Sequence, residues 1–371
     1  MASPSMHRRE FLGKGAAALG AAGLAAPGAL AADAVPPEKI LNYNKDMEYR
    51  RLGKTGLMVS AVCLGGHWKK LDGIIPGVFK KGGGWMEVEP SLLEPFDKNR
   101  AEIISRCIEV GINYVDACSG HEILAYSRAL KGRRDKMYFG YSWFEKEMRF
   151  KEWRTTAKLL EGLDQGMKES GLDYVDLWRI TLIEKSSKHT NEEIEEAVKA
   201  LDAAKKAGKA RFTGFSTHDR PHIQWMIETY PKSIDVIVTP YTARTKELPQ
   251  DSVFQAVTKN DVGVFGIKPF SSGSIFKGKG IPGDPVFEED STTARMSIRY
   301  ILGNLALTAP IPGLICREQV DNMVRAVKER RNWTRRSSRS WRRSTRKPGR
   351  SFLPTTSGSS SGSGYKEGSG S

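Results

Sequence analysis

Four side chains that can exchange protons lie close together in one stretch of the chain: Asp116, Cys118, His121 and Glu122. Histidine is suited to general acid chemistry because its ordinary pKa lies near neutral pH, and a neighbouring carboxylate can orient its ring. A further histidine, His67, follows two glycines at the end of an apolar run. We therefore consider His121 and His67 as candidate proton donors, with a structural or surface role as the alternative for each, and we interpret Cys118 as an inert thiol.

The elements that must position these residues can be predicted from hydrophobic patterning. Apolar, β-rich runs alternate with helical segments, and we expect strands near residues 59–64, 112–116, 137–142, 174–180, 211–215, 236–238, 262–267 and 307–311. Short apolar runs without polar alternation are typical of buried parallel strands. Eight strands with intervening helices predict an α/β fold of the (β/α)8 TIM barrel type. A doubly wound sheet is the alternative, but no glycine-rich fingerprint follows the first strand.

A long insertion, residues 67–97, separates the first predicted strand from its helix. In a TIM barrel the loops that follow the strands gather at the carboxyl-terminal face, where active sites are built. The insertion either covers the pocket or is an ordinary mobile loop, with Trp85 packed at the edge of the barrel. The sequence leaves both interpretations open.

The segment 49–60, YRRLGKTGLMVS, resembles the amino-terminal hairpin and first strand of bacterial aldo/keto reductases, and further matches lie at 111–117, 129–136, 172–177, 208–216, 262–269 and 311–313. The resemblance implies a TIM barrel with an amino-terminal β-hairpin over residues 48–331, after a linker at 32–47. It also implies hydride transfer between a nicotinamide and a carbonyl or alcohol. In that family a tyrosine donates the proton, and an aspartate, a lysine and a histidine support the reaction.

One of the four catalytic positions of the family is matched, because Asp116 stands where the family has its aspartate. The stretch 118–122 contains no tyrosine, Ser142 falls at the lysine position and Thr181 at the histidine position. We therefore predict three catalytic residues: Asp116, His121 and His67. His121 is the predicted non-standard proton donor and Asp116 its partner. The alternative is an inactive or non-redox barrel that binds NAD(P), a small ligand or a protein partner.

The resemblance implies cofactor contacts in three loops: one for the nicotinamide carboxamide, one for the pyrophosphate and one for the adenosine end. Glycine-rich backbone amides can bind phosphate, which supports the second of these assignments. The predicted cofactor-binding residues are Ser216, Thr217, Lys268, Ser271, Ser272, Gly273, Gly313, Arg317, Gln319 and Asn322. The expected cofactor is NADP or NAD, with NADP slightly preferred, and the expected substrate is a small-molecule carbonyl or alcohol.

Residues 1–31 resemble a twin-arginine signal peptide, with RREFLGK followed by a run rich in Ala, Gly and Leu. We expect export in the folded state by the twin-arginine translocase, a periplasmic or extracellular location, and no stable membrane anchor. The four cysteines show no paired spacing, so we expect free thiols, without a disulfide framework, a zinc site or any other metal site.

The segment 332–371 is basic and then rich in Ser and Gly, without hydrophobic periodicity, and is expected to be a disordered tail. In a shifted frame, compatible codons can encode an acidic amphipathic helix that ends in an aromatic segment. We therefore interpret the tail as a frameshift product that begins near Arg331. The tail contributes +8 to the net charge of +15, so the charge is weak support for a nucleic-acid partner, and we expect none.

Overall fold

The computed structural model describes residues 35–245 and 252–330, so the predicted signal peptide and tail lie outside the described residues. A two-stranded antiparallel hairpin, β1 (Tyr49–Arg51) and β2 (Met58–Ser60), precedes a sheet of seven parallel strands in sequence order. These strands are β3 (Tyr114–Ala117), β4 (Tyr138–Tyr141), β5 (Val175–Thr181), β6 (Ala210–Ser216), β7 (Val236–Pro240), β8 (Gly263–Ile267) and β9 (Ala309–Ile311).

The expected first barrel strand, near 59–64, is divided in the structure. Met58–Ser60 pairs with β1, so its backbone is used in the hairpin and not in the barrel. The barrel is closed instead by residues 63–65, which bond to both edge strands. The Leu64 amide donates to Tyr114 at 3.0 Å and the Gly65 amide donates to Pro312 at 2.8 Å. The predicted (β/α)8 barrel with its amino-terminal hairpin is thus confirmed, with a closing segment too short to be a regular strand.

Eight helices surround the barrel in the described residues. They are α1 (Leu93–Glu109), α2 (Gly120–Ala129), α3 (Thr156–Ser170), α4 (Asn191–Lys206), α5 (Arg220–Thr229), α6 (Ser252–Lys259), α7 (Phe287–Ile301) and α8 (Arg317–Arg330). Local sequence explains several of their ends. Helix α4 begins with a capping box between Thr190 and Glu193, and α3 ends at Gly171, whose φ of 67° is left-handed.

Apolar side chains fill two separate regions of the structure. One lies inside the barrel, where Tyr114, Leu177 and Phe265 pack above hairpin residues Leu52 and Leu57. The other lies between the barrel and its helices. The hairpin therefore closes one end of the barrel, and the carboxyl-terminal ends of the strands are left to form a site at the other end.

The insertion after the closing segment is anchored to the core. Trp68 is buried against Phe96 and Tyr126, and its indole nitrogen donates to the Tyr126 hydroxyl at 3.1 Å. A short helix at Lys69–Gly73 follows, and Phe79 forms an antiparallel bridge with Val88. In the described segments no helix is long and apolar enough to span a membrane. All four cysteines are free thiols, as expected.

Candidate functional site

Asp116 lies inside the barrel and is paired with a residue that the sequence analysis did not single out. The Arg179 guanidinium, from β5, makes two hydrogen bonds to the carboxylate; the Nε–Oδ1 bond is 3.0 Å. Both residues are nearly inaccessible to solvent. Although burial lowers the pKa of Arg179, Asp116 outweighs it and raises the pKa above its ordinary value. Arg179 is one of two charged residues in β5, the other being Asp176, and it was the available signal for this pair.

The positions of the family lysine and histidine form a closed polar network. Ser142 donates to the buried Glu147 carboxylate at 2.5 Å, and its oxygen lies 2.7 Å from the Thr181 hydroxyl. The Thr181 amide donates to the same carboxylate at 2.7 Å, and the Trp178 indole donates at 3.2 Å. Burial raises the pKa of Glu147 in spite of these donors. This side of the barrel end therefore holds a buried, hydrogen-bonded acid, Glu147, beside the serine that stands at the lysine position.

A second cluster joins the closing segment to the loop after β3. The Glu122 carboxylate accepts from the amides of His67 at 2.7 Å and Cys118 at 2.8 Å. The His67 Nδ1 lies 3.0 Å from Glu122 Oε1 and 3.6 Å from the Cys118 sulfur. Glycine is required at position 66, because a Cβ there would lie 2.0 Å from the Glu122 side chain. His67 itself has a left-handed φ of 63°.

The opposite charges of Glu122 and His67 stabilise each other. Burial raises the pKa of Glu122, but His67 and two backbone amides outweigh it, so the pKa is lowered. Burial lowers the pKa of His67, but Cys118 and Glu122 raise it well above its ordinary value. Burial and Glu122 raise the pKa of the Cys118 thiol. The His67 side chain is 55% exposed, while the Glu122 side chain is fully buried, so solvent reaches the cluster from the histidine side.

The structure places His121 apart from the Asp116 carboxylate. His121 is the second residue of α2, and its Nε2 would lie 3.8 Å from a Cβ on Gly84 of the insertion. Burial lowers its pKa, which the nearby Glu87 opposes. Among the described residues Asp116 bonds to Arg179 and Tyr114, so the expected partnership with His121 is not formed. A catalytic role for His121 stays a prediction.

Glu145 is an ionisable group beside this site that the sequence analysis missed. It follows β4 and accepts from the Gly120 amide at 3.4 Å, at the start of α2. Burial raises the pKa of Glu145 to about 7. No local sequence pattern marks Glu145, because its environment depends on how two loops pack together.

The residues predicted to hold the nicotinamide end lie near one another. Ser216 ends β6, and the Thr217 hydroxyl donates to the carbonyls of Ile183 at 3.2 Å and Glu184 at 3.1 Å. Lys268 follows β8 with a left-handed φ of 56°, and its ammonium lies 3.9 Å from the Glu184 carboxylate. Burial lowers the pKa of Lys268. The structure thus places Ser216 and Thr217 at the end of β6 and Lys268 at the end of β8, two strands further along the sheet, with the Thr217 hydroxyl already engaged.

The predicted pyrophosphate loop has an unusual backbone. Ser271, Ser272 and Gly273 have φ values of 50°, 56° and 85°, three consecutive left-handed residues. Lys70 of the insertion reaches this region, since its ammonium donates to the Gly278 carbonyl at 3.3 Å and would lie 3.8 Å from a Cβ on Gly273. The sequence analysis missed Lys70, because the contact joins segments about two hundred positions apart in sequence.

The predicted adenosine contacts are largely used within the protein. Gln319 accepts from the Ile315 amide at 2.9 Å and donates to Gly280 at 2.6 Å. Asn322 accepts from Arg295 at 2.6 Å and donates to Ser291 at 2.9 Å, which ties α8 to α7. Gly313 and Arg317 complete the predicted set. Gly313 forms a bridge with Gly65, and the Arg317 side chain is 56% exposed at the start of α8.

Comparison with known proteins gives consistent matches. Residues 74–293, more than half of the chain, match the profile described as the Aldo/keto reductase family. L-glyceraldehyde 3-phosphate reductase of Escherichia coli strain K12 is 23% identical over 269 residues, which cover 67% of this chain and 69% of that protein.

Solved structures of similar fold include the holo form of an aldo-keto reductase from Bacillus halodurans, with a TM-score of 0.54, 20% identity, and coverage of 76% of this chain and 91% of that chain. An aldo/keto reductase from Klebsiella pneumoniae, in complex with NADP and acetate, has a TM-score of 0.54 and 14% identity. The match covers 75% of this chain and 89% of that chain. These structural likenesses support the barrel. By its profile match, the chain belongs to the aldo/keto reductase family.

Proposed function

We propose that the protein is an NAD(P)-dependent oxidoreductase that acts on a small carbonyl or alcohol with a proton donor other than tyrosine. The observation that carries this proposal is the buried Asp116–Arg179 pair, which keeps the family aspartate bonded to a cation at the site end of the barrel. A reduction of this type develops negative charge on the carbonyl oxygen. Fixed charges and hydrogen-bond donors in a site of low polarity stabilise such charge well.

The residues around the strand ends fit a nicotinamide dinucleotide. The Lys70 ammonium lies beside the left-handed run Ser271–Gly273, and its positive charge suits a pyrophosphate. The amides of Ser271 and Gly273 already donate to the carbonyls of Lys268 and Phe270, so this assignment rests on Lys70. Ser216 and Lys268 would hold the nicotinamide end, and Arg317 would face the adenosine end. When bound, the nicotinamide supplies the hydride. NADP is preferred over NAD because the exposed Arg317 side chain at the start of α8 is suited to a further phosphate.

The proton cannot come from the cation that pairs with Asp116. Arginine keeps its proton at any working pH, so Arg179 can position charge but cannot relay a proton. His67 is the best-placed alternative in the described structure, because its ring is half exposed and lies 3.6 Å from the sulfur of Cys118, two residues after Asp116. Buried Glu122 fixes the orientation of that ring. We therefore assign the donor to the group at His67 in preference to His121.

Titration of the folded protein with NADPH and NADH tests this proposal, followed by a screen of small aldehydes and ketones. The screen includes glyceraldehyde 3-phosphate, since a relative is named for its reduction. We expect quenching of protein fluorescence at micromolar NADPH and turnover of at least one carbonyl. The His67→Asn variant should lose at least about 100-fold in turnover, a usual cost of removing a general acid, and His121→Asn should lose much less. The reverse order would support the original assignment to His121.

A second candidate function is a barrel that binds NAD(P), a small ligand or a protein without turnover. The closed network of Ser142, Thr181 and Glu147 favours it, because two family positions carry no group that can support a proton transfer to substrate. A folded protein that binds NADPH but shows no turnover over the full screen would support this alternative. Failure to bind NADPH and NADH would contradict both the NAD(P)-dependent reductase and a barrel that binds NAD(P) without turnover.

We also propose export by the twin-arginine translocase and a periplasmic or extracellular location. The RREFLGK motif and the small-residue run after it support this proposal. A fusion of residues 1–40 to a reporter that folds in the cytoplasm tests it. Export should be lost when Arg8 and Arg9 are both replaced by lysine, and export that survives this change would contradict the assignment.

A further inference from the structure

Three different donor atoms converge at the open end of the barrel, where the sequence analysis expected no metal. They are His67 Nδ1, Cys118 Sγ and a Glu122 carboxylate oxygen, and all lie within 4.8 Å of one another. Nδ1 lies 3.0 Å from Oε1 and 3.6 Å from Sγ. Ligands about 2.0–2.3 Å from a tetrahedral ion lie roughly 3.3–3.7 Å apart, so the two separations from Nδ1 are close to those around one ion.

We propose that His67, Cys118 and Glu122 form a binding site for one divalent transition-metal ion of the Zn²⁺ class. Imidazole, thiolate and carboxylate are the three ligand types that Zn²⁺ takes in proteins. A mixed nitrogen, sulfur and oxygen set does not suit Mg²⁺ or Ca²⁺, which prefer oxygen ligands. The inference goes beyond the proposed reductase activity and does not depend on nucleotide binding. The ion would bind Nδ1 of His67, which leaves the Nε2 proton of the ring for the proposed donor role.

The geometry argues against a nucleophilic triad made from the same residues. In such a triad the nucleophile and the acid contact opposite nitrogens of the histidine ring, so that the proton can pass through the ring. Here the Cys118 sulfur and the Glu122 carboxylate both face Nδ1 of His67. Three groups that face one point are arranged as ligands of a shared ion.

The surroundings hold the ligands in place. The fully buried Glu122 is fixed by the amides of His67 and Cys118, at 2.7 and 2.8 Å. Hydrogen bonds of this kind orient metal-ligating carboxylates in known sites. Gly66 leaves the space that the Glu122 side chain occupies. The ligands are thus positioned by backbone that also closes the barrel, and so the site is formed before any ion arrives.

The proposed site keeps a fourth position open. The protein supplies three ligands, and the half-exposed His67 ring shows that solvent reaches the cluster. Three protein ligands with one open position are typical of zinc sites that bind a water or a substrate oxygen, whereas structural zinc sites are closed by four protein ligands. The open position would face the same end of the barrel as Asp116 and Arg179.

Titration of the chelator-treated, full-length protein with Co²⁺ tests the proposal, since Co²⁺ gives a near-ultraviolet charge-transfer band when a thiolate binds it. We expect saturation at one Co²⁺ per chain and loss of the band on addition of Zn²⁺, which binds such sites more tightly. Cys118→Ser should abolish the band. Cys316→Ser, which removes a buried thiol at the start of α8, is the matched control and should retain it.

Two further measurements keep the outcome decisive. His67→Asn changes an exposed residue to one that tolerates a left-handed φ, so it should fold, and it should weaken Co²⁺ binding at least about tenfold. Circular dichroism melting of Cys118→Ser establishes that this variant is folded. The absence of a saturable band in the wild type, or a band that survives both ligand substitutions, would overturn the proposal. NADPH titration of the same samples reports separately on the proposed reductase function.

Discussion

Replacing Glu145 by glutamine should stabilise the protein at alkaline pH but not at acidic pH. Burial raises the pKa of this carboxyl from 4.5 to about 7, so the folded protein holds a proton that the unfolded chain has released between these values. The folded state binds more protons in that window, and the free energy of unfolding therefore falls as pH rises from 4.5 to 7. A shift of this size corresponds to about 3 kcal/mol, at 1.36 kcal/mol for each pKa unit.

Glutamine mimics the protonated acid, and so the Glu145→Gln variant escapes this penalty. Urea unfolding at pH 4.5 and pH 8 should show similar stability for both proteins at the lower pH. At pH 8 the variant should be more stable by roughly 2–4 kcal/mol. Glu161→Gln, which removes an exposed carboxylate from α3, controls for the loss of one negative charge. An equal difference between Glu145→Gln and wild type at the two pH values would refute the assignment of a raised pKa to Glu145.

Three further perturbations test other parts of the structure. Asp116→Asn leaves the buried Arg179 guanidinium without its counter-charge and should cost about 3–5 kcal/mol of unfolding free energy, measured in urea; a cost below 1 kcal/mol would contradict a dry ion pair. Lys70→Ala should weaken NADPH binding about tenfold in a fluorescence titration, as expected for the loss of one charged contact. Lys69→Ala is the control and should leave NADPH binding unchanged, because the Lys69 ammonium instead lies 4.1 Å from the centre of the Trp85 ring. Thr190→Ala removes the capping box of α4 and should lower stability by about 1 kcal/mol in the same urea assay, and an unchanged midpoint would contradict the cap.

The barrel could be predicted from the sequence because its strands are short apolar runs whose residues are buried on both faces. Val236–Pro240 and Gly263–Ile267 are of this kind and lie where the pattern placed them. The closing segment could not be predicted in the same way. The run near 59–64 is apolar throughout, and its division between hairpin and barrel depends on pairing with Tyr49–Arg51 and with residues far along the chain.

The candidate site was only partly predictable, since its chemistry depends on contacts between distant segments. Asp116 was found because it matches the family aspartate, but its partner Arg179 lies on β5, about sixty positions further along the chain. His67 and Cys118 are about fifty positions apart, so no ligand spacing marks them as neighbours. Asn322 was predicted to contact the cofactor, but its side-chain amide is already hydrogen-bonded to Arg295 and Ser291.

The brevity of the segment that closes the barrel has a consequence for local unfolding. Few backbone hydrogen bonds hold it, among them those of the Leu64 and Gly65 amides, whereas β5 and β6 are paired over most of their length. Partial unfolding of a protein begins where such bonds are fewest. The amide hydrogens of the closing segment should therefore exchange with solvent sooner than those of β5. His67 lies two residues after the closing segment. Each opening of that segment would thus move the imidazole away from Glu122, and a molecule bound to His67 and Glu122 would oppose the opening.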